Sequence, residues 1–138
     1  MQDVFNLEIV TPEKIAYTDT VSMVSVPGIM GRMGILPKHI PLFALLTEGE
    51  VKITKGDDVI FLSIGGGFIE VTHDKVMVLV TRAVHAQELN EQDIIKAKKE
   101  AQEALKQKPT GKALAEIQTV YRQSLVDLQI LRRRRRVN

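Results

Sequence analysis

Apolar and polar positions alternate through much of the first 86 residues. In residues 4–10, Phe5, Leu7 and Ile9 fall on one side of an extended chain and Asn6 and Glu8 on the other. This is the period of a strand with one buried face. Residues 21–26 (VSMVSV), 50–54, 59–64 and 68–72 read the same way. Residues 76–80 (VMVLV) are apolar throughout, so this run is expected to be buried on both faces or to lie at the centre of a sheet. Turn-forming clusters separate the segments: Thr11-Pro12-Glu13, Pro27-Gly28, Lys55-Gly56-Asp57-Asp58, Gly65-Gly66-Gly67 and His73-Asp74-Lys75. Many short strands punctuated by turns, with no helical period between them, predict an antiparallel β-sandwich or barrel.

The period then changes. Asn90-Glu91-Gln92-Asp93 has the form of a helix start, with a capping side chain and acidic residues in the first turn. Ile94, Ala97, Ala101, Ala104 and Leu105 recur at spacings of three and four and mark one helical face. That helix is expected to stop before Lys108-Pro109, because the residue preceding proline is pushed out of helical geometry. A second stripe follows: Leu114, Ile117, Tyr121, Leu125, Leu128 and Leu131. Two helices joined by so short a loop predict an antiparallel hairpin. The chain thus reads as a β-sandwich or barrel over residues 1–86 and a two-helix hairpin over residues 87–138. The inner face of the first helix is mainly alanine, which buries little apolar area, and short helices are marginal by themselves. The hairpin is therefore expected to detach and re-dock at modest cost.

Charge sharpens this division. Among 138 residues, 44% are hydrophobic and 4% aromatic, with a net charge of +2. Residues 1–86 carry 7 Lys/Arg against 10 Asp/Glu, a net of −3; residues 87–138 carry 12 against 7, a net of +5. The two parts offer opposite electrostatic faces. There are no cysteines, which excludes disulfides and thiolate metal sites. No run approaches the roughly 20 apolar residues that span a bilayer, and MQDVFNLEIV lacks the basic-then-apolar order of an export signal. The expectation is an intracellular protein.

Catalytic readings find no support. His39, His73 and His85 have neither HExxH form nor an i,i+4 partner, so no metal site is expected. Gly65-Gly66-Gly67 lacks the Lys-Ser or Lys-Thr of a phosphate loop and reads as a tight β turn. Thr110-Gly111-Lys112 has the Gly-Lys pair without the upstream glycine and strand. A nucleophile elbow is absent. A nucleic-acid module, a barrel with a basic helical tail, is opposed by the acidic strand region and its few, unclustered aromatics.

The most distinctive stretch is VPGIMGRMGILPKHIPL, residues 26–42. Glycines 28, 31 and 34 and prolines 27, 37 and 41 are expected to fix an irregular connection that is neither helix nor strand. Ile29, Met30 and Met33 either tuck onto their own sandwich or are covered by another protein. This stretch, followed by SIGGGFIEVTHDKVMVL (residues 63–79) and two helices, resembles the epsilon subunit of F-type ATP synthases across essentially the whole chain.

The resemblance implies a non-catalytic rotor subunit of the central stalk that couples rotation of the c ring to ATP synthesis. It implies a β-sandwich packed on the gamma subunit and the c ring, peripheral to the cytoplasmic face of a bacterial membrane. It also implies a hairpin that blocks ATP hydrolysis by extending to the alpha and beta subunits. Gly28, Ile29, Met30, Gly31, Arg32, Met33 and Gly34 match the ring-facing loop; Leu36, Pro37 and His39 match the gamma-facing segment. Arg32 stands where many relatives carry Glu, so either the ring supplies a compensating acid or the contact is mainly apolar.

Some bacterial relatives bind ATP through an (Ile/Leu)-Asp-x-x-Arg-Ala motif. Here the gapless match places Leu89 and Asn90 first, Asp93 where the arginine belongs and Ile94 where the alanine belongs. A carboxylate facing a polyphosphate is repulsive, and a shifted register restores only Lys96 and Ala97. ATP binding is expected to be weak or absent, and no other cofactor is implied. Finally, Arg132, Arg133, Arg134, Arg135 and Arg136 continue the second helical stripe, and cations are favoured at a helix C-terminus. With Arg122 they are expected to latch the extended hairpin onto an acidic segment of beta.

Overall fold

Ten strands account for most of the N-terminal half in the computed structural model, which describes residues 3–137 and the side chains as far as residue 133. They are β1 (Phe5–Val10), β2 (Ile15–Val21), β3 (Met23–Gly28), β4 (Gly31–Ile35), β5 (Leu42–Leu46), β6 (Gly49–Lys55), β7 (Asp58–Ile64), β8 (Gly67–Val71), β9 (Lys75–Val80) and β10 (Ala83–His85). The sheet order is β10-β7-β6-β3-β5-β8-β9-β1-β2, with β4 paired on β3. This is the expected sandwich or nearly closed barrel. One pairing departs from the antiparallel pattern: β1 runs parallel to β9, with Leu7 opposite Val76 and Ile9 opposite Val78. A parallel pair is joined by no hairpin, so local turn signals do not announce it.

The alternation foreseen for β1 holds, since Phe5, Leu7 and Ile9 are buried. They join Val24, Val26, Val51, Ile53, Leu62, Ile64, Ile69, Val76 and Val78 in one apolar core. The apolar run of β9 lies between β8 and β1 within the sheet, as one of its two readings required. At the two ends of the sheet, side chains close the seam. Ser22 N and Oγ both donate to Thr54 O at 2.9 Å, and Lys55 pairs with Asp19. His85 Nε2 on β10 donates to Ala16 O on β2 at 3.1 Å, and its ring lies tilted against Tyr17.

Two expectations for this region need correction. Residues 26–42 are not irregular throughout: β3 and β4 form a hairpin, and only its two-residue turn (29–30) and residues 36–41 lie outside the strands. Glycine is tolerated within β4 because Met33 and Ile35 turn inward and supply the burial a strand needs. Residues 83–85 form a further short strand, β10, on β7. Gly65-Gly66-Gly67 does not turn one strand back on its partner, because β7 and β8 are not neighbours. It carries the chain across under residues 79–82: Gly65 N donates to Arg82 O and Thr81 N to Gly66 O. A Cβ on Gly67 would lie 2.0 Å from Leu79 O.

The chain divides between His85 and Ala86 into two compact units. The second begins with a 3₁₀ turn (Ala86–Glu88), then α1 (Glu91–Leu105) and α2 (Gly111–Val137). Asn90 caps α1 as the sequence predicts, its Oδ1 accepting from Asp93 N at 3.0 Å. The helix ends before Pro109, and positive φ at Lys108 and Gly111 (63 is found at Lys38, 52 and 62 here) reverses the chain into α2. The helix pair forms the expected hairpin, and α2 extends through the arginine run to Val137, a length of about 40 Å at 1.5 Å per residue. The buried stripe of α2 differs from the one foreseen. Leu128 is buried, but Leu125 is exposed, while Gln123, Ser124, Asp127 and Ile130 are also buried. Polar residues on a buried face are invisible to a count of apolar spacings.

Candidate interaction surfaces

The pairing of β3 with β4 runs from Val24↔Ile35 to Gly28↔Gly31, leaving Ile29 and Met30 as a two-residue tip. Gly31, at φ 127°, adopts a conformation that L side chains rarely take. At Gly28 a Cβ would lie 2.7 Å from Gly31 O, so the base of the tip admits no side chain there. Ile29 N donates to Leu45 O at 3.1 Å and Thr47 N to Pro27 O at 2.9 Å, fastening that base to β5. Beyond it the apolar side chains stand in solvent: Ile29 is 57% and Met30 96% exposed. Ile29 and Met30 therefore do not tuck onto their own sandwich, whereas Met33 is half-buried against the core.

Arg32 leaves the tip and folds back. Its Nη2 donates to Glu50 O at 2.6 Å and to Ser25 O at 3.4 Å, and lies 4.0 Å from Glu50 Oε1. Gly34 is exposed on β4. In the connection to β5, Pro37 and His39 are half-buried, while Leu36 and Ile40 are exposed. His39 Nδ1 donates to Ile40 O at 2.8 Å.

The structure adds a surface that the sequence reading missed. Phe43 and Leu45 point outward from β5 and are 61% and 52% exposed. Register places Leu45 opposite Phe68 on β8, and Phe68 opposite Leu79 on β9. The Phe43 and Phe68 rings stand 5.0 Å apart. With Met77 beside Glu70, these side chains form an apolar strip over β5, β8 and β9, adjoining the base of the tip. LFALL is apolar at every position, so its period carries no phase and the outward face cannot be chosen from the sequence alone.

In the second unit, Asn90 and Asp93 are joined through the cap of α1, Leu89 and Ala97 are half-buried, and Lys96 is exposed. Along α2, Arg122, Arg132 and Arg133 are exposed. The side chains of Arg134, Arg135 and Arg136 lie outside the described residues. A groove of about 450 Å³ is lined by Lys98, Leu125, Leu128, Gln129, Arg132 and Arg133. Among the described residues no group of three or more His, Asp or Glu is placed to hold a metal, and no helix is long and apolar enough to cross a membrane.

Titration shifts concentrate at the seam rather than on these surfaces. The Lys55 ammonium holds the Asp19 carboxyl below its usual range, and Asp19 in turn raises Lys55. Burial, and then the Asp19 charge, raise Tyr17.

Comparison with known proteins agrees with this architecture. Residues 4–86 match the family described as ATP synthase, Delta/Epsilon chain, beta-sandwich domain. The chain is 36% identical over 129 residues to the ATP synthase epsilon chain of Herpetosiphon aurantiacus, covering 94% of this chain and 95% of that one. Its fold is similar to a chain of the Euglena gracilis mitochondrial ATP synthase, OSCP/F1/c-ring, with a TM-score of 0.68, 22% identity and coverage of 91% and 75%. It is also similar to a chain of the Tetrahymena thermophila mitochondrial ATP synthase central stalk/c-ring, with a TM-score of 0.53, 20% identity and coverage of 61% and 68%. At these identities the two solved structures speak for the fold alone. Joined to the match over the β-sandwich and to sequence similarity that extends through both units, they lead to one conclusion: the chain belongs to the ATP synthase epsilon chain family.

Proposed function

We propose that this chain is a non-catalytic rotor subunit of the central stalk, which docks on the gamma subunit and the c ring and couples ring rotation to ATP synthesis. The observation that carries the reading is the pair of adjoining apolar surfaces on the strand unit. A two-residue tip with Met30 almost fully exposed, and a strip of Phe43, Leu45 and Phe68, are costly in water and suited to burial against protein partners. In this reading residues 28–34 face the ring, and Leu36, Pro37 and His39, extended by the β5 strip, face gamma. The similarity of the fold to chains of ATP synthase central-stalk and c-ring assemblies supports it. Attachment to the cytoplasmic face of the membrane is then peripheral, through the complex.

The hairpin is the brake of this proposal. Extended beside gamma, it reaches alpha and beta, and Arg122 with residues 132–136 latches it to an acidic segment by a salt-sensitive attraction. The sparse apolar content of the α1 face, where Ala101 and Ile94 are the buried residues, supports a helix pair that opens at modest cost. Nucleotide plays little part, because the Asn90 side chain is engaged in capping α1 and the Asp93 carboxylate stands where a phosphate partner is needed. ATPase activity of the assembled complex, with and without residues 88–138, tests the brake. Hydrolysis should rise on truncation; no change would discard the brake and leave the stalk reading standing. Uniformly strong hydrogen-exchange protection over residues 91–131 would likewise exclude ready opening.

A further inference from the structure

The ring-facing loop carries a cation, Arg32, whose destination is visible. Its guanidinium lies over β3 and β6, donating to Ser25 O and Glu50 O, with the Glu50 carboxylate 4.0 Å away. The Glu50 side chain is 7% exposed and that of Arg32 is 44% exposed, so the head group is half withdrawn from solvent at the root of the hairpin. A planar fork with several donors suits simultaneous bonds to carbonyls on two strands, where a lysine offers a point charge on a flexible stem. Pro27 sits opposite Arg32 in the β3–β4 pair, and its carbonyl turns away from β4 to accept from Thr47 N. The side-chain bonds of Arg32 tie β4 across β3 to β6.

From this we infer that Arg32 is a positioning residue that staples the β3–β4 hairpin, and that the tip meets its partner through the apolar pair Ile29–Met30. The partner half of this inference rests on the ring-facing reading above. The partner patch is accordingly apolar, with no acidic residue matched to Arg32. Replacing Arg32 by glutamate would set a second carboxylate near Glu50 and near carbonyl lone pairs, loosening the hairpin rather than creating a polar contact.

Hydrogen exchange on the full chain tests the staple. Arg32→Gln should accelerate amide exchange in residues 28–33 by tenfold or more without changing residues 76–80. Arg32→Lys should restore part of that protection, and Arg32→Glu should exceed Gln in its effect. Exchange within twofold of the wild type for Arg32→Gln would overturn the staple. Reassembly of the full chain with the gamma–ring complex tests the partner. Met30→Ser should weaken binding at least tenfold while leaving tip exchange within twofold, and wild-type affinity should change less than threefold between 50 and 500 mM NaCl. A tenfold loss with salt would overturn the apolar contact. Unchanged affinity of Met30→Ser would overturn the ring-facing reading itself, whereas the exchange result would be unaffected.

Discussion

The strand unit and the helical unit bury different kinds of surface. Within the β unit the core is built of branched apolar side chains, with Ile9, Ile53, Leu62, Ile64, Ile69 and Val78 fully excluded from water. In the helical unit the buried positions are fewer: Ile94, Leu128, Ile130, Ala86 and Ala101 together with the polar Gln123, Ser124 and Asp127. Each buried CH₂ contributes about 0.8 kcal/mol, whereas a buried polar group stabilises little even when fully hydrogen-bonded. One region is therefore suited to holding a fixed docking surface and the other to changing partners. Their charges differ in the same sense: the strand region is net acidic and the helical region net basic.

The comparison breaks most readily at the core. Ile53→Ala, at a position with no solvent exposure, should destabilise the strand unit by about 2–5 kcal/mol, measured by urea unfolding followed by circular dichroism. A loss below 1 kcal/mol would mean that this core is loosely packed and the contrast unfounded. Gly67→Ala comes next, at about 1–3 kcal/mol, because the added Cβ would meet the backbone at Leu79 and Val80; a neutral result would show that the crossing of residues 65–67 can shift. Asn90→Ala removes the α1 cap and should cost the helix about 1 kcal/mol. It should raise exchange in the first turn of α1 and leave the strand unit unchanged, so equal responses in both units would contradict their separation.

The smallest effect is at the seam. Lys55 lowers the Asp19 pKa from its ordinary 3.8, so the stabilisation from this carboxylate is present above that value and is lost as pH falls through the folded-state pKa. Asp19 raises Lys55 above 10.5, so the contribution of Lys55 is present below that value and is lost as pH rises beyond it. The melting-temperature difference between wild type and Asp19→Asn should be flat from about pH 5 to 9 and shrink below pH 4. A difference that grows with acid would contradict the pairing.

Legibility followed the range over which each signal acts. The start of α1 at Asn90, its end before Pro109 and the inward face of β1 are local matters of capping, proline sterics and period two, and they were readable residue by residue. The strand β2 was not, because a bulge shifts its register near Ile9 and Val10 and it carries the half-buried Asp19 beside Lys55. Among the proposed site residues, the glycine-flanked tip was legible from its composition. The Phe43–Leu45 strip was not, because its outward face depends on which neighbour β8 presents.

Local sequence is enough to specify the two-part architecture, the opposite charges of the parts, the cap of α1 and the motifs that carry the family resemblance. Tertiary structure alone decided that β1 lies parallel to β9, that residues 31–35 and 83–85 are strands, and that Arg32 turns back to Ser25 and Glu50. Helical capping and alternation are set by neighbours a few positions away, whereas strand partners and the reach of a long side chain are set by residues brought close only on folding.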